Sequence, residues 1–130
     1  MNFRLVLALV YAAIAFWVAD AAQAQVQRQF PKTALRGSLV IDEPPLVTLN
    51  GRPARLAPGA RIRNQGNTLA LSGTLIGAKL LVHYTLDPTD LISDVWILTP
   101  EEAAKRPWPA TPQQAEAWNF DSTTQTWSRP

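Results

Sequence analysis

A chain of 130 residues with no cysteine, one histidine and a net charge of +2 is chemically restricted before any element is placed. It can form no disulfide, thiolate metal site, cysteine nucleophile, lipid anchor on an amino-terminal cysteine, or site built from two histidines. The slight positive charge selects no class of partner on its own.

The chain opens with the pattern of an export signal. Arg4 supplies a positive start, Leu5 to Val18 is an uncharged apolar run of 14 residues, and Ala22-Gln23-Ala24 is a small-x-small cleavage site. Such a run spans only about 21 Å as a helix, short of the roughly 30 Å of a hydrocarbon core, so cleavage fits better than a membrane anchor. The expected division is a cleaved signal peptide at 1–24, a flexible amino terminus at 25–33, a small β-barrel domain at 34–99 and a carboxy-terminal extension at 100–130. The mature chain then begins at Gln25, keeps its net charge of +2 and carries no stable membrane span. Export without disulfides fits the bacterial periplasm better than a small stapled secreted scaffold.

Within the mature chain, Ala34 to Ile41 alternates as a strand, with Leu35, Gly37, Leu39 and Ile41 on one face. Asp42-Glu43-Pro44-Pro45 ends it, because proline cannot donate to a ladder. Leu46 to Leu49 and Arg52 to Leu56 flank Asn50-Gly51, a pair that tolerates positive φ at both central positions of a two-residue hairpin. Ala57-Pro58-Gly59 reads as a turn, Ala60 to Arg63 as a short strand, Gln65-Gly66-Asn67 as a turn, and Ser72-Gly73 and Ile76-Gly77 as bends. Lys79 to Leu86 is a long alternating strand, Asp87-Pro88-Thr89-Asp90 a turn, and Leu91 to Leu98 the last strand of this series. These strands and turns predict an all-β fold, a small OB-like or SH3-like barrel of about five to six short strands.

At Thr99 the pattern changes. Thr99-Pro100-Glu101-Glu102 joins a capping threonine, a proline at the first helical position and a glutamate placed to reach back, which predicts a helix over Pro100 to Lys105. Thr111-Pro112-Gln113-Gln114 repeats the signal. The last segment, Trp118-Asn119-Phe120-Asp121 to Thr126-Trp127, has the alternation of a terminal hairpin.

Two groups are candidate binding residues. Arg52, Arg55, Arg61 and Arg63 could make a basic face for an anionic envelope polymer or an acidic periplasmic protein, or serve only as solubilising edge residues. Nucleic acid is not expected, since the arginines lack interleaved aromatics for stacking bases. Trp108, Trp118, Phe120 and Trp127 could grip a sugar, peptide or partner, or pin the extension to the barrel. Pinning weighs more, because exposed tryptophans on a loose tail invite aggregation and proteolysis.

Catalytic signals are weak. His83 with Asp94 and a nearby serine could in principle assemble a small hydrolase, yet nothing around Ser38, Ser72 or Ser93 resembles a nucleophile elbow. Asp87, Asp90 and Asp94 lack the glycine and distal glutamate of a calcium loop. No catalytic residue, metal or cofactor is therefore assigned.

The run from Arg36-Gly37 through Val47-x-Leu49-Asn50-Gly51, Leu56-x-Pro58-Gly59, Leu71-x-Gly73 and Val95-Trp96-Ile97-Leu98 resembles small exported proteobacterial proteins of unknown function. More loosely, it is similar to the OB-like barrels of bacterial exported domains. That resemblance covers residues 34 to 100 and implies fold and compartment, but no active site. The expectation is a periplasmic, non-catalytic binding or adaptor module, with a small hydrolase or a structural envelope protein as alternatives.

Overall fold

A computed structural model describes residues 27–130; the expected export signal lies outside the described residues. Six strands form the main sheet: β1 (Leu35–Glu43), β2 (Leu46–Leu49), β3 (Arg52–Arg63), β4 (Leu69–Ala70), β5 (Lys79–Leu86) and β6 (Ile92–Ile97). β1 pairs with β2, β2 with β3, β3 with β6, β6 with β5 and β5 with β1, so five strands close a ring and β4 hangs on β3. All of these pairings are antiparallel except β3 with β6.

Alternation fills the ring. Leu35, Leu39 and Ile41 of β1, Val47 of β2, Leu56 and Ile62 of β3, Val82 and Tyr84 of β5, and Ile92 and Val95 of β6 form one buried core. A period of two requires the intervening residues to face outward, which places Arg36, Arg55, Arg61 and His83 on the outside of the ring. Gly37 interrupts β1 for a packing reason. A Cβ there would stand 3.0 Å from both the Tyr84 ring and the Asn50 amide oxygen.

The Asn50-Gly51 turn forms as predicted, with φ of 54° and 78°. Ala57-Pro58-Gly59, read from sequence as a turn, lies inside one continuous strand. β3 runs on through Arg63, and Gly59 sits at φ 74° where the pairing to β6 shifts register between Leu56 and Arg61. Proline and glycine here make a bulge that bends the strand around the ring.

The extension contributes α1 (Pro100–Ala103), α2 (Pro112–Ala117) and a hairpin of β7 (Asn119–Asp121) and β8 (Thr126–Ser128). α1 carries the full reciprocal cap. The Thr99 hydroxyl accepts from the Glu102 amide, and the Glu102 carboxylate accepts from the Thr99 amide at 2.9 Å. At α2 only half of this cap forms, with the Thr111 hydroxyl accepting from the Gln114 amide while the Gln114 side chain accepts from the Ala110 amide.

The extension folds over the outer face of β1, β5 and β6, where a second core forms. Phe30, Ala34, Leu98, Trp108 and Trp127 are buried together, with Trp96, Trp118 and Phe120 packed around them. Residues 27–33 belong to this layer and are not loose as the sequence reading had it. Arg28 and Phe30 are both buried, and the Phe30 amide donates to the buried Gln125 side chain at 2.9 Å. A polar stretch without periodicity conceals two anchors that only the extension reveals.

Candidate functional site

The four tail aromatics act mainly as packing groups. Trp108 and Trp127 are buried, and Trp108 donates its indole N–H to the Ala34 carbonyl at 3.0 Å. Trp108 stacks on His83 with ring centroids 4.1 Å apart, and Phe30 meets both rings edge-on. Phe120 and Trp127 lie 4.7 Å apart on the paired strands of the terminal hairpin. Trp118 and Phe120 are half-buried, and Arg129 stands over the Trp118 ring. Such an arrangement leaves no aromatic platform of four rings for a ligand.

His83 lies under this layer with no exposed surface. Its Nε2 is 3.5 Å from the Arg36 guanidinium, and its Nδ1 is buried with no protein partner. A guanidinium can only donate, so Nε2 is the accepting nitrogen and the ring is neutral. Burial above all, then the nearby charges of Arg36 and Arg28, push the His83 pKa down to about 2. Asp94 is engaged elsewhere, by Arg63 at 3.1 Å and by Thr85. No hydrogen bond joins His83 to Asp94 or to a serine, so the proposed hydrolase pair is not assembled.

Two arginines missed from sequence hold the layers together. Arg36 projects outward from β1 and donates to the carbonyls of Glu102, Ala103 and Lys105, closing the carboxyl end of α1 where partial negative charge collects. Burial, with Arg106 adding and Glu102 opposing, lowers its pKa to about 10. Arg28 donates to both oxygens of Glu102, at 2.9 Å through Nε, and to the carbonyls of Asn64 and Ile97. Burial works against ionisation of Glu102, yet the bonds from Arg28 and Thr99 hold its pKa below the ordinary glutamate value. The usable signal was the glutamate of the capping box, whose second oxygen needs a partner once buried.

The four candidate arginines divide. Arg63 is occupied, since it pairs with Asp94 and lies over the Trp96 ring at 5.3 Å. Arg52, Arg55 and Arg61 are exposed and form no ion pair among the described residues. Arg55 stands across from Leu46 and Arg61 across from Asp94, both on the outer face, whereas Arg52 stands across from half-buried Leu49 at the rim. Six residues of strand separate Arg55 from Arg61 by at most about 20 Å. Exposed cations spaced along a strand in this way suit an extended anion.

A polar cleft of about 600 Å³ opens between Arg28, Gln65, Asn67, Thr99, Glu101 and Lys105, and a second of about 420 Å³ lies between Leu35, Leu86 and α2. No group of three or more histidines, aspartates or glutamates comes together among the described residues. No described helix is long and apolar enough to cross a membrane. Comparison with family models, with curated proteins and with solved structures returns no match.

Proposed function

We propose that this chain is exported through a cleavable signal peptide to the periplasm and works there as a non-catalytic binding module of OB-like build. Its ligand on this reading is an anionic envelope polymer, held along β2 and β3 by Arg52, Arg55 and Arg61. One observation carries the reading: these three arginines are exposed and without an ionic partner among the described residues, while His83, Trp108 and Trp127 are consumed by packing. The closed ring of five strands supports the OB-like assignment, and the face of the second and third strands is one such barrels use for extended polymers.

Titrating the mature protein with dextran sulfate as a model polyanion tests this reading. Binding should weaken as salt rises, because exposed charges are screened. The triple variant Arg52→Ala, Arg55→Ala, Arg61→Ala should bind at least about tenfold more weakly at the same melting temperature, a loss of about 1.4 kcal/mol. Equal binding by both proteins, or binding indifferent to salt, counts against the polymer. Capture of an acidic protein from a periplasmic extract, lost in the triple variant, would move the assignment to an adaptor.

A further inference from the structure

We propose that the carboxy-terminal extension is an acid-released strap, with the buried His83 as the group whose protonation loosens it from the outer face of β1, β5 and β6. This inference stands on the packing alone and does not depend on what the module binds.

The geometry leaves His83 no way to take a proton in place. Its accepting nitrogen faces the guanidinium of Arg36, so protonation would set a donor against a donor and one cation against another. Trp108 covers one face of the ring at 4.1 Å and Phe30 meets it at 4.6 Å, which keeps water from screening the new charge.

The charged groups around His83 come from three elements. Arg36 stands on β1, Arg28 in the segment before it, and Glu102 on α1, with Arg106 just beyond α1 acting on Arg36. Trp96, opposite His83 on β6, brings no charge. Glu102 offers no relief, because both of its oxygens already serve Arg28 and one also serves the Thr99 amide.

The same groups hold the strap. Arg36 accounts for three of its carbonyls, the Arg36 amide donates to the Pro109 carbonyl at 2.8 Å, and Trp108 donates to Ala34. Lifting the strap therefore exposes His83 and frees Arg36 together. A lifted His83 has an ordinary affinity for protons near pH 6.5, whereas the covered ring titrates near pH 2. Between these values the open state binds the extra proton, so closure is fully favoured above pH 6.5 and weakens as pH falls. Opening should gain about tenfold for each unit below 6.5. Glu102 works in the same direction only below its ordinary value of 4.5, so the window between about 6.5 and 4.5 belongs to His83.

Hydrogen exchange on the full mature chain tests this. The Trp108 indole N–H and the Arg36 amide report on the strap, and amides of β5 and β6 report on the ring. After correction for intrinsic rates, strap probes should lose roughly 15-fold in protection from pH 6.5 to 5.0, through an opening less sensitive to denaturant than that of the ring. In His83→Phe, which keeps a ring under Trp108 but takes no proton, that loss should vanish; His83→Gln provides a second neutral variant. Strap and ring probes with identical protection at every pH in the wild type would overturn the proposal, as would an unchanged pH dependence in the neutral variants.

Discussion

The inside and the outside of the ring are held together by different means. Inside, Leu39, Ile41, Val82, Ile92 and Val95 are fully buried aliphatic groups that need nothing but each other. Outside, β1, β5 and β6 present Arg36, His83 and Trp96, a face that cannot be dry without partners, and Arg28, Glu102, Trp108 and backbone carbonyls supply them. A core of the first kind tolerates acid and salt. A layer of the second kind depends on its hydrogen bonds and on protonation states being kept.

The largest effect that should separate the two regions comes from Trp108→Ala. It removes the stack on His83, the bond to Ala34 and the centre of the outer cluster, and chemical denaturation should show a loss of about 3 to 5 kcal/mol, as large as a leucine truncation in the inner core. Arg28→Ala should come next at about 3 kcal/mol, because Glu102 is left charged and nearly buried. A Glu102→Gln, Arg28→Met pair should recover much of that loss.

Acid should sharpen the contrast further. Because covering His83 depresses its pKa from the ordinary 6.5 to about 2, the folded form gains nothing from protons in that range while the unfolded form does. Stability from this group is complete above pH 6.5 and should fall by about 1.4 kcal/mol per unit below it. Urea midpoints measured from pH 7 to 5 should show that slope in the wild type and a flatter one in His83→Phe. At the small end, Arg63→Ala should cost no more than about 1 kcal/mol, since its pair with Asp94 is partly exposed. Single alanines at Arg52, Arg55 or Arg61 should stay within about 0.5 kcal/mol by thermal melting.

The ring was largely legible in the chain because a period of two and a few turn residues report it locally. Asn50-Gly51 and Lys79 to Leu86 formed where the pattern put them, and the Thr99 and Thr111 caps started both helices. Pro58-Gly59 misled because the same residues serve a turn and a bulge, and only the pairing partners on either side decide between them. The outer layer was not legible for a different reason. Arg28, Phe30, Arg36 and Glu102 come from segments up to 74 residues apart, and no local pattern marks an arginine that will accept burial in exchange for three carbonyls. His83 could be seen as the one histidine, but its neutrality follows from a tryptophan 25 residues away that folds back on it.

Truncation after Thr99 tests most directly that the extension completes the fold and does not serve as a free recognition tail. Loss of about 1 kcal/mol already lowers the melting temperature of a domain this size by about 4 to 8 °C, and the truncated chain forfeits Trp108, Trp118, Phe120 and Trp127 from the outer layer. Its melting temperature should drop well beyond that range or its cooperative transition should disappear. A truncated chain that melts at the temperature of the same chain with its extension would contradict the account.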